Sequence, residues 1–289
     1  MVSLVLFFIT FLSTTIAGLF WAGADLDSVS LIIAVAKRPS LLLRGLPFSF
    51  TFLTILLAHE LGHFFACRHY GIRCTPPYFL PLPATFAGTL GAFIRIKSPF
   101  PHKRALFDVG IAGPVAGFAF VVPALIIGIA NSQIVPRAFA RGVLNLGEPL
   151  IFRWIGKLVL GYRPDTQDMV AHPIAVAAWF GLLATSLNLF PIWQLDGGHI
   201  SYAVLGRLAQ KRLSLASSIG LIAVSFAAWP IPSYLVFGVL LLVLGARYRF
   251  FHPPTLYDEA HVGKVRLWLA LLAFVILVVS FTPVPISIN

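Results

Sequence analysis

Charge is what this chain has least of. Asp, Glu, Lys and Arg make up 11% of its 289 residues and the acids number only ten, against 58% hydrophobic side chains. With a mean hydropathy of +0.91, that scarcity excludes an ordinary soluble globular domain and implies a polytopic membrane protein. The formal net charge of +11 does not restore a nucleic-acid reading. Lys and Arg are scattered between apolar runs and form no aromatic-interleaved patch, so membrane topology and anionic headgroups account for them better, and no nucleic-acid partner is expected. Cysteine is nearly absent too. Cys67 and Cys74 are the two present, and they would pair only in an oxidising compartment. The first apolar run has no Lys or Arg before it, hence no basic n-region of a cleaved secretory signal, and reads as a retained anchor.

Hydropathy places candidate spans near 2–22, 47–69, 106–130, 172–193, 214–230, 233–247 and 266–284. The fifth and sixth are short and meet at Trp229-Pro230-Ile231-Pro232, as a hairpin that dips without crossing would. The expected fold is therefore an all-α membrane bundle of about six to seven transmembrane helices. With seven crossings, the loops at 70–105, 194–213 and 248–265 share one side and carry the modest excess of basic residues, which puts the N-terminus inside.

Within the second run stands His59-Glu60-Leu61-Gly62-His63. Ionisable groups in such a run are costly to bury and mark function by default. His59 and His63 are four residues apart, so on a helix both imidazoles leave one face and can hold a single Zn²⁺ through neutral ring nitrogens. Glu60 beside them can take a proton from water whose pKa zinc lowers toward about 7, the arrangement of a zinc metallopeptidase. Cys67 follows one turn later on the same face and could soften the ligand set, although a small apolar filler describes it better.

Two histidines need a third protein ligand. Seven of the ten acids fall in polar connecting segments, leaving Glu60, Asp108 and Asp196. Asp108 sits at a span's start, where an acid favours the helix dipole. Asp196 follows the 172–193 span in Asn188-Leu-Phe-Pro191-Ile-Trp-Gln-Leu195-Asp196-Gly197-Gly198-His199. There Pro191 ends the helix and the glycine pair permits close backbone approach, so the carboxylate can be aimed into the bundle.

His59 to His63, together with Asn188, Pro191 and Leu195-Asp196-Gly197-Gly198, resembles the site-2 protease family of intramembrane zinc metalloproteases, peptidase family M50. Gly113-Pro114-Val115-Ala116-Gly117 is similar to the glycine-rich helix between those motifs. The three elements run in the family's order over about 47–205 and point to a catalytic core there, with accessory transmembrane helices over 206–289, all in a single membrane domain 1–289. The resemblance implies that His59, His63 and Asp196 ligate one zinc per chain, that Glu60 activates water, and that Asn188 stabilises the oxyanion of the scissile carbonyl. It implies a transmembrane protein substrate within the lipid bilayer, aligned by a β-hairpin at Thr85–Lys97, whose later part alternates as a strand does. It also implies a minimal form, since 131–171 is too short for a PDZ domain. Plant chloroplast relatives bring long N-terminal regions not seen here, so a bacterial inner membrane is expected, with the site toward the cytosol.

Plainer readings compete. The histidines could simply bond neighbouring helices, Asp196 could cap a helix, and Asn188 could make an interhelical hydrogen bond. Gly113 and Gly117 read as packing rather than chemistry. His199 and the remaining histidines read as loop or interfacial groups. Leu150 to Gly161 reads as an interfacial amphipathic helix. A metal transporter would need acids or histidines on successive spans and repeated hydropathy, and neither is present. A catalytically silent relative that binds membrane helices would not need Glu60.

Overall fold

The computed structural model describes residues 2–23, 33, 35–83, 85–136, 144–226, 232–258 and 261–288. Nine α-helices run through them. They are α1 (Val2–Trp21), α2 (Leu42–His69, led by a 3-10 turn Pro39–Leu41), α3 (Lys103–Ala130), α4 (Leu150–Leu160), α5 (Pro173–Leu189), α6 (Asp196–Leu205), α7 (Arg207–Ser225), α8 (Leu235–Arg247) and α9 (Lys264–Ser280). By length and composition, three are apolar enough to cross a membrane: Val2–Trp21, Pro39–His69 and Lys103–Ala130. The chain is thus a multi-pass membrane protein. The expectation of six to seven spans meets a physical obstacle in the later helices. At about 1.5 Å per residue, α5 and α8 fall short of a hydrocarbon core roughly 30 Å thick. The expected 214–230 span corresponds to α7, which begins at Arg207 and buries a polar stripe of Gln210, Ser214, Ser218 and Ser225. The junction at Trp229-Pro230-Ile231 lies outside the described residues.

α1 and α2 pack through small and hydroxylated residues. A Cβ on Gly18 would overlap the Gly45 carbonyl, and one on Gly45 would overlap the Thr15 carbonyl. Thr10, Thr14 and Thr15 donate to carbonyls one turn back at 2.7–2.8 Å, and Thr14 meets Ser49 of α2 at 2.6 Å. Close approach of this kind supports helix association where water exclusion cannot. The main core gathers Phe48, Phe52 and Ile55 of α2, Val121 and Leu125 of α3, and Trp179 and Phe180 of α5. α4 forms where the amphipathic pattern predicts it, burying Phe152 and Ile155 while Arg153 and Lys157 face outward. It ends on Gly161 at φ 65°, the left-handed cap for which glycine is suited.

Three two-stranded antiparallel sheets complete the described structure. β1 (Tyr78–Pro81) pairs with β2 (Thr89–Phe93), β3 (Gln133–Pro136) with β5 (Gln167–Val170), and β4 (Leu144–Leu146) with β6 (Ile286–Ile288). The first is the hairpin expected around 85–97, although its opening strand lies upstream at 78–81. The others escape sequence reading because strands of three or four residues show too little alternation, and β6 pairs with a segment far away in the chain.

Candidate metal centre

α2 carries His59, Glu60 and His63 at its buried face, with 6%, 6% and 7% of their surfaces exposed. α6 brings Asp196 to them. Its Oδ2 lies 3.2 Å from His59 Nε2 and its Oδ1 3.3 Å from His63 Nε2, while the two imidazole Nε2 atoms stand 3.1 Å apart. One ligand atom from each residue falls within 4.8 Å of the others. Asp196 Oδ2 is buried without a hydrogen-bond partner among the described residues. Burying an orphaned carboxylate oxygen beside two imidazole nitrogens is costly unless a cation completes the group. Two His and one carboxylate also leave a fourth position open, as catalytic zinc sites do, so these residues fit zinc.

Local sequence explains how each ligand arrives. α5 stops at Leu189, before Pro191, and Trp193 turns through the left-handed region at φ 42°. α6 then starts at Asp196, so the carboxylate opens a new helix rather than ending the previous span. A Cβ on Gly197 would overlap the Leu189 carbonyl and one on Gly198 the Trp193 carbonyl, which is why this return needs two glycines. The glycine-rich stretch of α3 gives the ligands their backing. A Cβ at Gly113 would collide with the His63 ring at its Nε2, and one at Gly117 would come within 3.2 Å of His59 Cβ. From the same helix the Val109 carbonyl accepts the Nδ1 proton of His63 at 2.7 Å. That bond leaves Nε2 unprotonated for a metal.

Glu60 stands beside His63, His59 and Asp196, and its carboxylate meets the backbone of Ile94, the residue after β2. The hairpin therefore touches the catalytic candidate directly. Asn188 lies half-buried in the last turn of α5, with no side-chain hydrogen bond among the described residues. Cys67 is packed with Ile72, Ala105 and Val109, as an apolar filler would be. Asp108 is not a helix-start acid, since α3 begins at Lys103 and has no acid in its first turn: Arg266 of α9 grips it through Nε at 2.7 Å and Nη2 at 2.6 Å, and Tyr70 donates to it at 2.5 Å. His199 is also more than a loop histidine. Its Nδ1 lies 2.6 Å from His252 Nε2, and His252 Nδ1 lies 2.6 Å from the Pro253 carbonyl. Burial holds both rings below the ordinary histidine range, His199 at about 3 and His252 at about 4, so both are neutral. His252 then donates from Nδ1 to Pro253 and accepts from His199. Val109, Ile94 and His252 carried no local signal, because each matters only through a partner distant in sequence.

Comparison with known proteins agrees with this geometry. A family model described as peptidase family M50 matches residues 47–229. The chain is 31% identical over 250 residues to the probable chloroplastic zinc metalloprotease EGY1 of Arabidopsis thaliana, covering 83% of this chain and 43% of that protein. It is 30% identical over 250 residues to the rice (Oryza sativa subsp. japonica) EGY1 protein, covering 83% of this chain and 41% of that protein. Arabidopsis EGY2, also named as a probable chloroplastic zinc metalloprotease, is 31% identical over 248 residues, covering 83% of this chain and 43% of that protein. The chain spans less than half the length of these curated relatives. A match over most of the sequence, together with a buried His-His-Asp group built from its two motifs, shows that this chain belongs to peptidase family M50, the site-2 proteases.

Proposed function

We propose that the chain is a zinc-dependent endopeptidase that hydrolyses peptide bonds in or near transmembrane helices of other membrane proteins. One observation carries the reading: His59, His63 and Asp196 converge at a buried point with Glu60 beside them, on a helix long and apolar enough to cross a membrane. His59 Nε2, His63 Nε2 and an Asp196 oxygen would hold one zinc, which when bound supplies Lewis acidity toward water and the scissile carbonyl. Glu60 accepts a proton from the attacking water as the new carbon–oxygen bond forms. It returns that proton to the amine as the carbon–nitrogen bond breaks. Asn188, whose side chain makes no hydrogen bond among the described residues, donates its amide to the carbonyl oxygen as charge develops there. β2 presents an extended backbone beside Glu60 along which an unwound substrate would be aligned.

The same reading extends to topology. α5, α8 and α9, each shorter than the hydrocarbon core, cross with α1 to α3 where the bilayer thins locally around them, and α7 pairs with α8 as a hairpin, making six to seven spans. Residues 47–205 form the catalytic core and 206–289 an accessory part of the same membrane domain. The basic loops support a site facing the cytosolic side, and the proposed location is a bacterial inner membrane. Cysteine-accessibility mapping of the loops reads the topology, and membrane fractionation reads the location.

The central test uses purified wild type, Glu60→Gln and Asp196→Asn in detergent, with zinc content and cleavage of a transmembrane test substrate as readouts. The proposal requires wild type to hold about one zinc and to cut, Glu60→Gln to keep zinc without cutting, and Asp196→Asn to bind zinc more weakly. Undiminished cutting by Glu60→Gln would falsify the mechanism.

A further inference from the structure

We infer an anionic-phospholipid site between the start of α1 and the hairpin. A cavity of about 400 Å³ lies there, walled by Val2, Leu6, Tyr78 and Phe93 and edged by Arg95 and Lys97. Val2 and Leu6 are one turn apart on a single face of α1. Phe93, Arg95 and Lys97 alternate with the half-buried Ile94 and Ile96, so period-two spacing puts all three on the outer face. Tyr78 and Phe93 close the apolar wall with ring centroids 5.7 Å apart.

The cations are held by backbone pairing rather than by partner acids. Thr75 N donates to the Arg95 carbonyl at 3.0 Å and Lys97 N to the Arg73 carbonyl at 2.7 Å, while Arg95 N donates to Thr75 Oγ1 at 2.9 Å. Lys103, Arg153 and Arg266 have carboxylate partners; Arg95 and Lys97 form no ion pair among the described residues. In a chain with so few acids, these two charges face outward uncompensated.

Depth decides what compensates them. Val2 begins a helix apolar enough to cross a membrane, so the cavity sits level with one end of that span, at headgroup depth. α1 also exposes Val5 and Phe8, apolar side chains near the same end of the helix. A diacyl phospholipid with a net negative headgroup matches both halves: its phosphate meets Arg95 and Lys97, and its chains run along α1. A water-soluble anion would leave the apolar half uncovered.

The test titrates full-length, delipidated protein with phosphatidylglycerol and with phosphatidylcholine in detergent, read by native mass spectrometry. The site predicts a preference for phosphatidylglycerol that falls about tenfold in Arg95→Gln/Lys97→Gln. Leu6→Trp, which fills the apolar half and keeps both charges, should weaken binding of either lipid. Zinc content and melting temperature are measured for each variant, and if the double variant is misfolded the Leu6→Trp arm decides. Unchanged lipid binding in folded variants overturns the proposal. So does displacement of phosphatidylglycerol by equimolar inorganic phosphate, which would reveal a free-anion site. Tighter competition by an acidic peptide would show a substrate-tail site and overturn it as well. None of these readouts depends on protease activity, so the lipid site and the proposed hydrolysis stand or fall separately.

Discussion

Asp108 stands in the second turn of α3 and Asp196 opens α6, and these two acids of one bundle end in opposite electrostatic situations. Asp108 is gripped bidentately by Arg266 and bonded by Tyr70. Asp196 has two imidazoles for neighbours and an oxygen with no partner. A carboxylate supplied with its own guanidinium is complete without a ligand and ties α3 to α9. One facing two neutral nitrogens has a cation still to receive. The difference separates a structural acid from a candidate metal ligand more surely than helix position or hydropathy does.

The largest expected effect lies at Asp196, the proposed metal-binding acid. Asp196→Ala should abolish both stoichiometric zinc and cleavage, whereas Glu60→Gln should keep zinc and lose about 10²–10⁴-fold in turnover, the usual share of a general acid–base. Metal analysis and single-turnover assays read the two apart. Next, Gly113→Ala pushes a methyl into the His63 ring without touching any ligand chemically. Zinc affinity should fall roughly 10–100-fold, as when a ligand's support is lost, and competition with a chelator measures it.

Asp108→Asn probes the structural acid. It should keep stoichiometric zinc while stability drops by about 1–3 kcal/mol, because Arg266 loses its charged partner in a partly buried place. Zinc loss as complete as in Asp196→Ala would show that the two acids are not separable in function. A smaller effect concerns the neutral histidine pair. A histidine titrates near 6.5 when unfolded, whereas His199 and His252 stay neutral in the fold down to about 3 and about 4. The unfolded state therefore binds more protons below pH 6.5, and folding stability falls as pH drops from there toward about 4. His252→Gln should make that decline shallower in melting temperature measured across the window. An unchanged slope would mean that the pair does not set it.

Several of these features are legible in short stretches of sequence. The His59–His63 spacing, the role of glycine after Asp196 and the amphipathic α4 all depend on residues within one or two turns of each other, where helix geometry is enough. The small residues at Gly113 and Gly117 are readable as packing, though not as packing against the ligands themselves. Asp108 reads from sequence as a helix-start acid although α3 begins upstream at Lys103, and its partner Arg266 is 158 residues away, a distance at which no periodicity reports a contact. The same holds for His199 with His252, and for the short strands whose partners come from remote segments.

Composition and local spacing are properties of the chain itself, and they suffice to place it in a membrane and to show one helix offering two imidazoles to a metal with a carboxylate beside them. That Asp196, and not Asp108, completes the group follows from packing in three dimensions. So does the setting of the His63 tautomer by Val109, and so does the reach of the hairpin to Glu60. Those outcomes depend on which helices cross and how closely glycine lets them approach, and contacts across the whole bundle settle both.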